Sequence, residues 1–156
     1  MKIHLTWLFP LLTLCAQLAT AGDLPDPRFS PGAINPRITQ ANIAETICVK
    51  GYSKTVRPPV YYTNKLKLIQ IESYGYADTD PRDYEQDHLI PISLGGDPVS
   101  PLNEWPEPRI GYWNAVRKDT LEFALYKMVC AGQITLTEAQ HAFASDWIVA
   151  YKHYLP

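Results

Sequence analysis

The sequence is poor in cysteine, in net charge and in long apolar runs, and each shortage argues against a class of protein. It has three cysteines, and neither Cys48 nor Cys130 has a nearby Cys or His at zinc-ligand spacing, which argues against a zinc site. A formal net charge of −2 argues against a protein that binds DNA mainly through excess positive charge. No internal repeat or low-complexity tract is present.

The first 21 residues have the pattern of a secretory signal peptide. Lys2 and His4 precede an apolar run, and Ala19-Thr20-Ala21 provides the small-x-small cleavage pattern. The run falls short of about twenty apolar residues, so a membrane anchor is the weaker alternative. We therefore expect a mature chain that starts at Gly22, is secreted or periplasmic, and has no membrane segment left after cleavage.

Removal of the leader leaves Cys48 and Cys130 as the two cysteines. Two cysteines far apart in an exported chain favour one intramolecular disulfide, with two buried thiols as the alternative. Closing so long a loop would stabilise the fold by about 4 kcal/mol in the chain-entropy model.

Periodicity and capping residues predict a mostly helical chain after an extended, proline-rich arm at residues 22–38. Thr39, Thr63 and the Thr135-x-x-Glu138 capping box are helix-start signals. The predicted helices cover residues 39–47, 64–74, about 112–130 and about 135–154, and residues 52–62 are predicted as an extended loop. On the third helix, Val116, Phe123 or Ala124, Leu125, Met128 and Val129 form the expected apolar stripe.

The stretch with the clearest chemical pattern is Asp87-His88, which ends a run rich in acidic residues and leads into the apolar segment Leu89-Ile90-Pro91. We expect a strand there, ended by a turn at Gly95-Gly96. Successive strand residues face opposite sides, so Asp87 and His88 can take different roles. A carboxylate can hold a hard divalent cation, and a neutral imidazole can take a proton from water.

The order Asp87-His88, Gly95-Gly96, Asn103 and a helix from near Tyr112 resembles the HNH (ββα-metal) nucleases. The chain resembles the small secreted bacterial members of this family over more of its length. The matching segments are Thr39-Gln-Ala-Asn-Ile, Glu45-Thr-Ile-Cys-Val, Thr55-Val-Arg-Pro-Pro, Glu85-Gln-Asp-His-Leu-Ile-Pro, Trp105-Pro-Glu-Pro, Lys118-Asp-Thr-Leu-Glu, Cys130-Ala-Gly-Gln-Ile and Ala144-Ser-Asp-Trp-Ile. The resemblance implies an α+β fold: one small domain over residues 39–156, with a two-stranded hairpin, packed helices and a motif core at about 84–122.

The resemblance also implies the site residues. His88 is expected to be the general base, Asn103 to orient the loop that carries His88, and Asp87 to be a metal ligand. Asn114 is the expected last ligand, with a surface position on the helix as the alternative. Lys118, Asp119 and Glu122 either complete the site or form an ordinary salt-bridged surface. The expected cofactor is one divalent ion, Mg²⁺ in preference to Mn²⁺ or another transition ion, because an Asn ligand favours hard cations.

The segment from Thr46 to Ile71 contains no acidic residue but five basic ones. A basic segment beside an acidic metal site suits a phosphodiester substrate, and ordinary solvated charges are the alternative. The predicted substrate-binding residues are Lys54, Arg57, Lys65 and Lys118. Two functions remain open: a metal-dependent endonuclease acting on DNA in preference to RNA, and a degenerate HNH-like module that binds nucleic acid or a partner without cleavage.

Overall fold

The computed structural model describes residues 22–155, and the leader predicted at 1–21 lies outside them. A 3₁₀ helix at Gln40–Glu45 comes first. The main elements that follow are α1 (Tyr52–Val56), α2 (Val60–Tyr74), β1 (Tyr84–His88), β2 (Glu104–Pro108), α3 (Ala115–Cys130) and α4 (Leu136–Tyr154). This is the predicted α+β architecture with a two-stranded antiparallel hairpin and several helices.

The hairpin lies between α2 and α3. Its register pairs Asp87 with Trp105 and His88 with Glu104. Because side chains alternate along a strand, Asp87 and His88 face opposite sides of the sheet. Gln86, on the His88 side, donates to Gln70 of α2. Asp87 contacts Lys118 of α3 on the other side.

The core forms where α3 packs against α4, and Lys118 of α3 contacts the Asp87 side of the hairpin. Trp105 and Trp147 are completely buried, and Leu121, Leu125 and Val129 of α3 are equally inaccessible to solvent. Burial of side chains of this size stabilises a fold by about 1.5–3 kcal/mol each before the entropy of ordering them is subtracted. The indole Nε1 of Trp147 donates to the carbonyl oxygen of Asp23 at 3.1 Å, which holds the N-terminal segment against α4.

Residues 22–38 contain no helix or extended strand, and their backbone follows the hairpin closely. Ile34 forms a single antiparallel bridge with Gly96. The hydroxyl of Ser30 donates to the carbonyl oxygen of Glu104 at 2.7 Å and accepts from the hydroxyl of Tyr74 at the same distance. These contacts connect the N-terminal segment to β2 and α2.

Three predicted helix boundaries agree closely with the structure. The capping box of Thr135 and Glu138 begins α4, and the α2 helix ends at Gly75, whose φ of +67° suits glycine. The α3 helix ends at Cys130, whose sulfur is joined to that of Cys48. The predicted disulfide is present in this structure.

Two local predictions are wrong. Residues 52–62 contain α1 and the first residues of α2, because Pro59 takes the N-cap position, where a missing N–H costs no helical hydrogen bond. The strand precedes the apolar segment: Leu89 and Ile90 are buried in the connection between β1 and β2. That connection contains a short 3₁₀ turn, Ile92–Leu94, ended by Gly95 at φ +77°.

None of the helices in residues 22–155 combines the length and the apolar composition needed to cross a membrane.

Candidate functional site

The connection between β1 and β2 is organised by the buried side chain of Asn103. Its Oδ1 accepts from the backbone N–H groups of Ala33 (3.2 Å) and Ile90 (3.0 Å). Its Nδ2 donates to the carbonyl oxygens of Ile90 (2.9 Å) and Asp97 (3.0 Å). One amide therefore satisfies four backbone groups and fixes the path of the chain immediately after His88.

Gly96 permits the closest approach in this connection. A Cβ atom at this position would lie 1.8 Å from the carbonyl oxygen of Ile90 and 2.8 Å from Nδ2 of Asn103. Both separations are far below van der Waals contact, so any side chain here would displace the backbone. The turn predicted at Gly95-Gly96 is thus part of the same arrangement that Asn103 holds.

His88 is almost completely buried at the end of β1, with 3% of its side chain exposed. Its Nε2 lies 3.1 Å from the carbonyl oxygen of Pro98, an acceptor only, so Nε2 carries the proton and donates. Burial lowers the pKa of His88, with the charge of Asp87 acting in the opposite direction. The ring is therefore neutral near pH 7, and its lone pair is on Nδ1.

On the other face, Asp87 forms a buried ion pair with Lys118 of α3. The Lys118 side chain is completely inaccessible to solvent, and its Nζ contacts Asp87 Oδ2 and lies 3.7 Å from Glu107 Oε2. Burial opposes charge on both groups, but the two charges hold the pKa of Asp87 below and that of Lys118 above its ordinary value. Burial raises the pKa of Glu107 well above its ordinary value.

Two buried glutamates of β2 were not predicted as site residues. Glu104 and Glu107 are fully buried, and no described residue hydrogen-bonds their carboxylate oxygens. Glu104 Oε1 lies 3.9 Å from Nε2 of His88, and burial raises the pKa of Glu104 to about 7. Their position is a matter of strand register, which places Glu104 opposite His88 and Glu107 opposite Glu85 and which the sequence does not give.

Asp87 opens onto a cleft of about 360 Å³ between the hairpin, α1 and α3. Arg57 and the carboxylates of Glu85, Asp119 and Glu122 line the same cleft. Burial raises the pKa of Asp119 and Glu122, and the charge of Asp87 raises both further. A second cavity of about the same volume, beside Tyr84 and Ile110, contains none of the predicted site residues.

The predicted site residues are only partly brought together. Asp87 and Arg57 line the cleft, whereas His88 faces Pro98 and Glu104. Lys54 and Lys65 are exposed on α1 and α2. Lys118 is inside the fold, so contact with a substrate would require its ammonium to leave Asp87.

Asn114 forms the N-cap of α3. Its Oδ1 accepts from the backbone N–H of Arg117 at 3.3 Å, and its Nδ2 donates to the carbonyl oxygen of Gly111 at 2.9 Å. Both the oxygen and the nitrogen of the Asn114 side-chain amide therefore form hydrogen bonds at the start of α3. The predicted contact of Asn114 with a metal ion stays a prediction.

The donor atoms of the cleft fit a hard divalent cation in chemical type, because carboxylate oxygens are the ligands that Mg²⁺ and Ca²⁺ prefer. Their spacing is less favourable. Among residues 22–155, no three His, Cys, Asp or Glu side chains lie close enough together to hold an ion between them. Asp87 is the one predicted ligand that lines the cleft.

Comparison with known proteins assigns no family to the chain. A 58-residue segment is 38% identical to part of PDZ domain-containing protein 2 of Rattus norvegicus. That segment covers 37% of this chain, and the chain spans 2% of the length of the relative. No family model matches the chain, and no solved structure matches it.

Proposed function

We propose that this protein is a divalent-metal-dependent endonuclease of the HNH type that hydrolyses phosphodiester bonds in nucleic acid. The observation that carries the proposal is the contact of 3.1 Å between His88 Nε2 and the Pro98 carbonyl oxygen. A general base needs a neutral imidazole with a fixed orientation and a free lone pair. That contact fixes the ring and leaves the lone pair on Nδ1.

In this proposal, His88 accepts the proton of the attacking water at Nδ1. Asn103 acts as a positioning residue: its four hydrogen bonds hold the connection that follows His88 and so fix the ring indirectly. Neither role requires the base to be a metal ligand. The ring can therefore keep its lone pair for water.

Asp87 would hold the divalent ion, and Mg²⁺ suits its hard oxygens better than a softer transition ion, with Mn²⁺ the next candidate. When bound, such an ion neutralises charge on the scissile phosphate and the leaving oxygen. Asn114 remains the predicted further ligand. Asp119 and Glu122 are the alternatives that already line the cleft with Asp87.

The proposed substrate is DNA in preference to RNA, bound through its phosphates. Arg57 lies in the cleft beside Asp87, and its guanidinium can form paired hydrogen bonds to a phosphate. Lys54 and Lys65 would extend the contact along the exposed surfaces of α1 and α2. The predicted leader and the Cys48–Cys130 disulfide support export to an oxidising compartment, either secretion or the periplasm.

A second function is favoured by one specific observation. The Asp87 carboxylate is already neutralised by the buried ammonium of Lys118. A site whose acidic ligand has an internal counter-ion is the arrangement expected of a degenerate HNH-like module. Such a module would bind nucleic acid or a protein partner without cleaving.

A plasmid-nicking assay on the mature chain with Mg²⁺, Mn²⁺ or EDTA separates the two functions. We expect metal-dependent nicking that EDTA abolishes and that His88→Ala lowers by about 10²–10⁴-fold. His141→Ala is the matched control, because His141 is exposed on α4 and bonds only Ser145 among the described residues. Binding of DNA without nicking under any metal condition would leave the non-catalytic module.

A further inference from the structure

The Lys118 ammonium lies between the side chains of two buried acidic residues. Its Nζ contacts Asp87 Oδ2 and is 3.7 Å from Glu107 Oε2, and the whole Lys118 side chain is inaccessible to solvent. The Glu107 oxygens have no hydrogen bond from any described residue. Nζ is thus the positive centre of a small internal cluster that adjoins the cleft through Asp87.

A divalent ion at Asp87 would be repelled by the Lys118 ammonium, because both are positively charged. Two cations a few ångströms apart repel strongly where water is excluded, and the interior screens them far less than bulk solvent does. The two cations therefore compete for the same carboxylate.

We propose that Lys118 is an internal competitor of the divalent ion at Asp87, and that removing its charge exposes a tight cation site between Asp87 and Glu107. This inference rests on the cation site proposed above at Asp87. The position vacated by Nζ would have the carboxylate of Asp87 on one side and the carboxyl oxygens of Glu107 on the other, and hard cations prefer oxygen ligands of this type. In the native protein the competition keeps metal affinity low.

The test compares Mn²⁺ binding by the mature parent and by Lys118→Met, which keeps an unbranched chain of similar volume but removes the charge. Mn²⁺ is titrated without nucleic acid, by calorimetry and by thermal shift, since an ion that binds only the folded state raises Tm. We expect Lys118→Met to bind Mn²⁺ at least about tenfold more tightly than the parent.

Two matched variants complete the design. Lys118→Arg retains the charge and should bind Mn²⁺ no more tightly than the parent. In Lys118→Met combined with Asp87→Asn, the gain should disappear, because the vacated position has lost a charged neighbour. A gain that survives in the Asp87→Asn background would overturn the proposed location of the site.

Lys118→Met buries an unpaired carboxylate and can unfold without metal. In that case, recovery of a cooperative thermal transition on adding Mn²⁺, reversed by EDTA, supports the proposal, and failure to recover overturns it. Mn²⁺ binding by Lys118→Met that is equal to or weaker than that of the parent also overturns it. A parent that binds Mn²⁺ but nicks no DNA removes the nuclease proposal alone, because the competition is measured without substrate.

Discussion

Asn103 pairs with the backbone of Ile90 as a neighbouring strand would. Its Oδ1 accepts from Ile90 N at 3.0 Å, and its Nδ2 donates to Ile90 O at 2.9 Å, while Asn103 O accepts from Leu89 N at 2.7 Å. The backbone ladder of β1 and β2 ends at His88 and Glu104. Beyond these residues, the side-chain amide of Asn103 provides the hydrogen bonds for the backbone N–H and C=O of Ile90.

Replacing Asn103 by Ala should lower the free energy of unfolding by about 3 kcal/mol. Two backbone donors and two acceptors in a buried connection would lose their partner, and each unsatisfied buried group is costly. Urea denaturation measures the change, with Asn64→Ala on the exposed surface of α2 as the control. A loss below about 1 kcal/mol would show that water or rearrangement replaces the amide.

Replacing one member of the Asp87–Lys118 pair should destabilise the fold more, per substitution, than replacing both members together. Each single variant, Asp87→Asn or Lys118→Met, should lose about 3–5 kcal/mol of stability, because it removes the closest opposite charge from a buried charged group. The double variant should lose less than the sum of the two by about 2 kcal/mol or more. Denaturation in EDTA measures this double-mutant cycle, and additive losses would contradict it.

Gly96→Ala should destabilise the fold by about 3 kcal/mol or more, since the new Cβ would overlap the carbonyl oxygen of Ile90. Gly111→Ala is the control for an added methyl group without an overlap, because nothing lies within 4 Å of the new atom; its φ of +92° adds a backbone strain that Gly96 does not have. We expect the control to lose only about 1–2 kcal/mol from backbone strain. If Gly96→Ala and Gly111→Ala lose equal stability in chemical denaturation, the carbonyl group of Ile90 moves away from the new Cβ at little energetic cost.

Glu104 should make stability fall as pH rises. Its pKa is about 7 in the folded protein, above the ordinary value of 4.5, so its stabilising contribution is complete below pH 4.5 and is lost as pH rises through 7. The contribution is about 3 kcal/mol. The unfolding free energy of the parent should therefore decrease relative to that of Glu104→Gln between pH 5 and 8.

The comparison with Glu104→Gln keeps His88 in both proteins, so most of the opposing effect of its lowered pKa, a loss of stability on acidification, cancels in the difference. A constant difference between parent and variant across this range would show that Glu104 does not titrate there.

Removing the Cys48–Cys130 disulfide should lower the free energy of unfolding by about 4 kcal/mol, because the cysteines are 82 residues apart and the bond restricts a long loop in the unfolded chain. The double variant Cys48→Ser/Cys130→Ser is compared with the parent in urea, with and without reductant. Reductant should affect only the parent. Two thiols that alkylate in the native, unreduced parent would contradict the bond.

The features that could be predicted from the sequence are those that depend on a few identifiable residues. The Thr135–Glu138 capping box and the glycine after α2 each depend on a few neighbouring residues, and the Cys48–Cys130 pair followed because these are the two cysteines that remain after the predicted leader. The two-stranded hairpin was implied by the resemblance to the HNH nucleases. Local chemistry predicted only the turn at Gly95-Gly96, where Gly95 ends a 3₁₀ turn at φ +77°.

The orientation of α3 was predicted only in part: Leu125 and Val129 of the expected apolar stripe are buried. Val116, and Phe123 or Ala124, were also expected in the stripe. Val116 and Phe123 are 70% and 63% exposed, and Ala124 is half-buried, because tertiary packing determines which face of the helix points inward. The buried face passes through Lys118, Leu121 and Leu125, which are also at helical spacing. Lys118 was predicted to bind substrate, and either to complete the site or to belong to a salt-bridged surface. Its burial could not be predicted, because its partners Asp87 and Glu107 are on the two strands of the hairpin and not on α3.

The disulfide also determines what a protease can release from this molecule. Cys48 and Cys130 enclose α1, α2, both strands and nearly all of α3, including Asp87, His88 and Asn103. A single cut at any peptide bond between these cysteines opens a covalent ring and leaves one connected molecule. Cleaved ends in this region therefore remain tethered at high effective concentration, which favours reassembly of the hairpin over loss of a fragment.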